Sequence, residues 1–215
     1  MNIGILGTGM VGNTIGSRLT ELGHSVMMGS RTATNEKALA WQEKAGSNAS
    51  VGTFADAAMH GEILFNCTSG TVSLDVLTLA GRENISGKIL IDISNPLDFS
   101  KGMPPTLSVC NTDSVGEQIQ RAYPDVKVVK SLNTCNAKIM VAPFLIQGEH
   151  DIFVNGNDAD AKAQVTDILK NWFGWKNVID LGGIQSSRAV EMMMPIWLTL
   201  WGVNGNANFN YHIVK

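Results

Sequence analysis

Short apolar runs recur along the chain at a steady interval, and amphipathic stretches fill the gaps between them. Asn2 to Leu6, Ser25 to Gly29, a weaker Ser50 to Gly52, Glu62 to Cys67, Lys88 to Ile93 and Val126 to Ser131 are continuous and rich in Val, Ile and Leu, the pattern of parallel strands covered on both faces. Residues 10–22, 35–45, 54–60, 72–81 and 114–123 carry helical periodicity instead, and Ser114-x-x-Glu117 reads as a capping box for the last of them. Strands alternating with helices predict an α/β fold with a doubly wound, mostly parallel sheet. Past Pro143 the pattern adds strands at Asp151 to Val154 and Val178 to Leu181 around a helix at 158–173, then a final helix from Ser187 to Trp201. The expected organisation is a unit over residues 1–145 and a small α+β extension over 146–215 packed on the sheet, with a soft boundary. The C-terminal stretch alternates in period 2, with Val203, Gly205, Ala207, Phe209, Tyr211 and Ile213 against Asn204, Asn206, Asn208 and Asn210. It predicts an extended segment or terminal strand that seals a sheet edge or meets a second copy; a sharper reading sets Asn206 and Ala207 beside the site of chemistry.

The first strand runs straight into Gly7-x-Gly9-x-x-Gly12 and a helix, which is the dinucleotide-binding fingerprint in its required context. Gly7 allows the tight turn, Gly9 lets the backbone approach a pyrophosphate, and Gly12 lets the helix pack closely on the sheet. The fold class is therefore Rossmann-type, with phosphates seated on the free N–H groups of the helix N-terminus. An NAD site places a carboxylate at the end of the second strand; here Gly29-Ser30-Arg31 stands there. A carboxylate would repel a ribose 2′-phosphate, whereas a hydroxyl donates to it and a guanidinium grips it twice. The expected cofactor is NADP(H), with Thr32, Asn35 and Lys37 as further phosphate partners and Glu36 as surface charge.

Ligands of an open parallel sheet lie across the carboxyl ends of its strands. The loops there are Cys67-Thr68-Ser69-Gly70, Ser94-Asn95-Pro96-Leu97 and Leu132-Asn133-Thr134-Cys135-Asn136-Ala137, short polar turns able to offer hydroxyl, amide and backbone groups to a nicotinamide and its ribose. Thr68-Ser69 also reads as a cap for the helix near Val72, and Asn95-Pro96 as a plain turn.

Composition removes several function classes. A net charge of −3, 44% hydrophobic and 16% charged residues give no electrostatic case for nucleic acid or a membrane surface. Cys67, Cys110 and Cys135 lack metal or C-x-x-C spacing, and no signal sequence precedes the first strand, so a reduced, cytoplasmic setting is expected. Ala189 to Val203 is apolar but carries Glu191 and Pro195 and falls short of the roughly 20 residues of a membrane span; it reads as a buried helix. His24, His60, His150 and His212 show no metal-ligand spacing, so no metal site is expected.

Four stretches carry a resemblance over nearly the whole chain: Gly7-Thr-Gly-Met-Val-Gly12, Gly29-Ser-Arg31, Val128-Val-Lys-Ser-Leu-Asn-Thr134, and Asp180-Leu-Gly-Gly-Ile-Gln-Ser-Ser-Arg-Ala-Val-Glu191 before a Trp/Leu-rich helix. The chain resembles the NADPH-dependent oxidoreductases typified by the archaeal enzyme that passes hydride between NADP and the deazaflavin coenzyme F420. It is also similar to the cytosolic domain of the six-transmembrane ferric reductases. The resemblance implies that Thr8, Gly9, Met10 and Val11 cradle the pyrophosphate, that Ser30 and Arg31 hold the 2′-phosphate, and that Thr68, Ser69, Asn95, Asn133 and Ala137 surround the nicotinamide. Two departures bear on the acceptor: Thr68-Ser69-Gly70 replaces an Ile-Pro-containing turn, and Asn133 stands where the archaeal type has a histidine. No membrane domain is expected to follow, so no electron path into haem is implied.

The expected function is hydride transfer between NADP(H) and a flavin-type acceptor, coenzyme F420, FMN or FAD, with no side chain assigned as catalytic. Tyr123 and Lys127 have the spacing of a carbonyl-reductase pair, but Pro124 keeps them off one helical face. Lys138 and Arg188 are candidate anchors for an acceptor phosphate, against an ion pair of Arg188 with Glu191 one turn on. Two alternatives are a non-catalytic NADP(H)-binding redox sensor and a reductase of small imines or carbonyls, which ordinarily adds a helical domain of on the order of 100 residues. Trp197, Trp201 and Met192 to Met194 exceed what one short helix buries against a single neighbour, so a homodimer is also expected.

Overall fold

The computed structural model describes residues 1–214. Strands β1 (Asn2–Leu6), β2 (Ser25–Ser30), β3 (Ala49–Thr53), β4 (Ile63–Asn66) and β5 (Ile89–Asp92) are followed by the short hairpin β6 (Leu97–Asp98) and β7 (Thr106–Leu107), then β8 (Lys127–Ser131), β9 (Asp151–Gly156) and β10 (Asn177–Asp180). Between them run α1 (Met10–Glu21), α2 (Glu36–Ala45), α3 (Phe54–His60), α4 (Ser73–Ala80), α5 (Arg82–Ile85), α6 (Val115–Ala122), α7 (Ala137–Val141), α8 (Ala159–Asp167), α9 (Ser187–Glu191) and α10 (Met194–Asn204).

The main sheet is ordered β10-β9-β8-β5-β4-β1-β2-β3. Every adjacent pair is parallel except β8 with β9, which run antiparallel. This is the doubly wound Rossmann-type order, extended past residue 145 by β9 and β10 on the same sheet. The chain leaves β1 toward β2 and β3 on one side and returns to β4 on the other, so a crevice opens between the carboxyl ends of β1 and β4. Leu6 pairs with Gly29 on one side and Asn66 on the other, which sets the three loops after these strands side by side.

Alternation along the strands splits the core in two. Ile3, Ile5, Met28, Phe65, Ile91 and Val129 face α1, α2, α7 and α8 with Trp41, Phe173 and Trp175. Leu6, Leu64, Leu90 and Val128 face α3, α4 and α6 with Phe54, Leu77, Ile119 and Tyr123. Among the described residues no helix is long and apolar enough to cross a membrane.

Two expectations need correction. The final helix is not continuous: α9 ends at Glu191 and α10 begins at Met194, with Pro195 in its first turn. Inside one helix Pro195 would lack an N–H and its ring would clash with the carbonyl of residue 191, whereas the first turn accepts it. The C-terminal stretch is not a strand either. It is tied to the start of β9, where Asp151 N–H donates to Tyr211 O at 2.8 Å and Ile213 N–H donates to Asp151 Oδ2 at 2.6 Å. β8 pairs with β9 only at Val154, Asn155 and Gly156, and the C-terminal stretch meets β9 through Asp151 at its start, without forming a ladder.

Candidate functional site

The glycine turn sits at the crevice, and its residues have different reasons to be glycine. Gly7 has φ +118, and a Cβ there would lie 2.9 Å from the Cys67 carbonyl oxygen. A Cβ on Gly12 would run into the Gly7 carbonyl oxygen, so both are required by the fold itself. Gly9 differs. It is the N-cap of α1 at φ −77, ψ −174, which any residue adopts, and a Cβ there meets nothing within 4 Å. Among the described residues no side chain caps α1, which leaves the first-turn N–H groups of Met10, Val11 and Gly12 to a ligand.

Gly7, Thr8, Gly9, Ser30, Arg31, Thr68 and Ser69 line one groove of about 460 Å³. Lys37 lies outside it, in a shallower hollow of about 300 Å³ shared with Thr8, Gly9, Met10 and Asn13. The Ser30 hydroxyl is buried and donates to Thr32 O at 2.5 Å, so the expected donation to a phosphate requires it to rotate. Arg31 is exposed with no protein hydrogen bond among the described residues. Asn35 uses its Oδ1 to cap α2, accepting from Lys37 N and Ala38 N at 3.1 Å. Glu36 is exposed at the start of α2, as expected of surface charge.

The other predicted residues gather farther along the carboxyl edge. Asn95 Nδ2 donates to Asn133 O at 2.9 Å, and Asn133 Nδ2 donates to Asn95 Oδ1 at 3.0 Å and to Val190 O at 3.1 Å. The loops after β5 and β8 are therefore locked to each other and to α9, with both amide N–H groups of Asn133 and one of Asn95 engaged. Pro96 and Ala137 are buried beside them. The Thr68 hydroxyl donates to Asn66 Oδ1 at 2.6 Å instead of capping α4, while Ser69 stays exposed.

Beneath these loops lies a charged cluster that no sequence motif announces. Lys130 is fully buried, with Nζ 2.8 Å from Asp92 Oδ2, 2.8 Å from Glu191 Oε1 and 2.5 Å from Ser94 O. Asp92 Oδ1 accepts from Asn66 Nδ2 and the Ser94 hydroxyl, and Glu191 accepts from the N–H groups of Val115 and Gly116 at the N-terminus of α6. Burial drives the Lys130 ammonium down, but Asp92 and Glu191 outweigh it and hold its pKa above the ordinary lysine value. The one signal in the sequence is a lysine inside the apolar run of β8, since a buried lysine requires partners.

Arg188 corrects another expectation. It pairs with Glu117 of α6, through Nε at 2.8 Å and through Nη2, and not with Glu191, which faces inward to Lys130. Glu117 accepts from the Ser114 hydroxyl at 2.8 Å while Ser114 Oγ accepts from Glu117 N, so the carboxylate serves Arg188 rather than completing a capping box. The Arg188 guanidinium holds Glu117 below the usual carboxylate range, against burial and with help from Ser114. Such a group adds stability that is present above its unfolded pKa of about 4.3 and is lost as pH falls through its folded value. Arg188→Met is expected to lower the thermal midpoint modestly at pH 7, the pair being partly exposed. The gap in thermal midpoint from wild type should close below about pH 4; a gap unchanged down to pH 3 would contradict the pairing.

The remaining candidates fall elsewhere. Lys138 lines a separate cavity of about 460 Å³ between α1 and α7, with Asn13, Arg18 and Phe144. Asn206 makes local bonds in the turn after α10. Tyr123 is bonded to Thr78 and Lys127 pairs with Asp158, which places both at the amino edge of β8, away from the groove. Among the described residues no group of His, Cys, Asp and Glu could hold a metal ion.

A family model described as "NADP oxidoreductase coenzyme F420-dependent" matches residues 2–96. The metalloreductase STEAP3 of Rattus norvegicus is 27% identical over 199 residues, covering 91% of this chain, which spans only 37% of that protein's length. The F420-dependent NADP reductase of Methanothermobacter marburgensis is 27% identical over 212 residues, covering 93% of this chain and 92% of its own. A solved structure from Arthrobacter sp. FB24, classed provisionally as an F420-dependent NADP-reductase, superposes with a TM-score of 0.94 at 49% identity over 100% of both chains. The chain belongs to the coenzyme F420-dependent NADP oxidoreductase family, a family of NADP-dependent oxidoreductases.

Proposed function

We propose that the protein moves hydride between NADP(H) and a flavin-type ring, a deazaflavin such as coenzyme F420 or, in its place, FMN or FAD. The nicotinamide supplies the hydride, and the acceptor ring takes it with a proton from solvent. The observation that carries this reading is the chemistry of the Asn95–Asn133 end of the site. Its amides are committed to one another and to Val190, and the ionisable groups behind them, Lys130 and Asp92, are fully buried and paired. A carbonyl or imine reductase needs a proton donor at the substrate heteroatom, and the Tyr123–Lys127 candidate lies at the other edge of the sheet. Transfer between two stacked rings needs orientation above all. Similarity to proteins named for F420-dependent NADP reduction supports the same acceptor class.

In this reading the turn Gly7, Thr8, Gly9, Met10, Val11 and Gly12 receives the pyrophosphate, and Arg31 with Ser30 receives the 2′-phosphate. Lys37 adds a cation from the neighbouring hollow. Thr68, Ser69, Asn95, Pro96, Asn133 and Ala137 shape the nicotinamide end. The residues fit the cofactor where it is most demanding, since the space at Gly9 is open and the Arg31 guanidinium is free. The free thiols of Cys67, Cys110 and Cys135 suit the reducing cytoplasm. The exposed Met192, Ile196 and Trp201 suit a second copy of the chain.

The test is steady-state NADPH oxidation with F420, riboflavin, FMN and FAD in turn. Turnover is expected with F420 foremost. Silence with every acceptor at saturating NADPH would sink the proposal, and unequal binding of NADPH and NADP without turnover would point to a redox sensor.

A further inference from the structure

We propose that Lys130 is a positioning residue for hydride transfer, one buried ammonium holding in register the loops that receive the nicotinamide and the helix beside them. The proposal rests on the hydride-transfer reading and adds a role for a residue which touches neither cofactor nor acceptor. Each of the three loops at the carboxyl edge is tied to Lys130 by a short path. The loop after β5 is held directly, because Nζ donates to Ser94 O, the residue before Asn95. The loop after β4 is held through Asp92, whose Oδ1 accepts from Asn66 Nδ2, while Asn66 Oδ1 accepts from the Thr68 hydroxyl and Thr68 N–H. Lys130 itself ends three residues before Asn133, and its partner Glu191 follows Val190, whose carbonyl takes the Asn133 amide.

Two carboxylates against one ammonium leave an excess negative charge in the interior. The N–H groups of Val115 and Gly116 at the positive end of α6, at 2.9 and 3.1 Å from Glu191, compensate it. Buried ion pairs of this kind are poor stabilisers compared with apolar packing of the same volume, because desolvation offsets their attraction. Their geometric demands are strict, and here they converge on the loops that set the angle and distance of the transferring hydrogen. A misplacement of about 1 Å is enough to slow such a step about a hundredfold. The adenosine end, around Gly9 and Arg31, belongs to other loops and shares none of these bonds.

The expected signature is a split between binding and chemistry. Lys130→Met, assayed well below its thermal midpoint, should bind NADPH within about threefold of wild type while single-turnover hydride transfer falls by about tenfold to a hundredfold. The emission of the bound reduced nicotinamide should shift, reporting its changed seat. A variant with wild-type transfer rate and emission, and only a lower thermal midpoint, would overturn the proposal. If Lys130→Met does not fold, Glu191→Gln serves: its amide cannot accept from Val115, Gly116 and Lys130 together, so one of these ties must break, and the same split is expected at smaller amplitude. The emission arm stands apart from turnover. Should wild type reduce no acceptor while the variants shift emission at unchanged affinity, the acceptor reading fails and the positioning role holds.

Discussion

Alanine at Gly9 is expected to weaken NADPH binding by more than about a hundredfold in a protein that folds normally. The backbone at Gly9 is extended and a Cβ there meets no protein atom within 4 Å, so the folded chain tolerates the methyl group. Loss of glycine at this N-cap costs about 1 kcal/mol at most, and the stiffer unfolded chain returns part of that. The methyl group would occupy the space into which the pyrophosphate must come. Displacing the phosphates from two first-turn N–H groups removes charge-assisted hydrogen bonds of about 1.5–3 kcal/mol each, and about 3 kcal/mol is already more than a hundredfold. Gly12→Ala should behave in the opposite way. Its Cβ would run into the Gly7 carbonyl oxygen and lie 3.3 Å from Ile5 Cγ2, an overpacking of about 1–3 kcal/mol or more. Thermal unfolding and NADPH titration of both variants separate the two roles. Wild-type affinity in Gly9→Ala would take the pyrophosphate away from this turn.

The Arg31→Ala variant should bind NADPH about 30-fold to a hundredfold more weakly and NADH unchanged. Arg31 stands exposed at the end of β2 with no ion pair or hydrogen bond to protein among the described residues, so its removal leaves no partner stranded and should not move the thermal midpoint. A guanidinium that grips a phosphate through two charge-assisted bonds contributes about 2–3 kcal/mol, and that contribution exists only for the nucleotide with a 2′-phosphate. Ser30→Ala should have a smaller effect on affinity, because the Ser30 hydroxyl already donates to Thr32. Dissociation constants for both nucleotides, measured at one salt concentration, decide the matter. If NADH is held as tightly as NADPH by wild type, or both weaken equally in the variant, the 2′-phosphate does not sit at Arg31.

Local chemistry explains why the glycine turn and the polar end of β2 are legible in the amino-acid sequence. The turn Gly7 to Gly12 and the strand end Gly29-Ser30-Arg31 each lie within a few residues of sequence, and each states its own conformation and charge. The regular strands and helices are legible for the same reason, since their apolar periods are short-range. Where the sequence misleads, the causes are also local. Pro195 divides a helix whose apolar positions look continuous, and the alternating C-terminal stretch bonds to the start of β9 at Asp151 alone, without forming a ladder. The short α7 and the β6–β7 hairpin leave no trace in the pattern, because five-residue and two-residue elements carry too little periodicity to register.

The amino-acid sequence on its own determined the doubly wound sheet, the glycine turn between β1 and α1, and the absence of a carboxylate where an NAD site requires one. Only the tertiary structure decided the partners of the charged residues. Lys130 meets Asp92 across 38 residues, Arg188 meets Glu117 across 71, and Glu191 reaches the N–H of Val115 across 76. Charge pairing over such separations depends on which strands are neighbours, and that order follows from how the whole core packs; no period or motif along the chain records it.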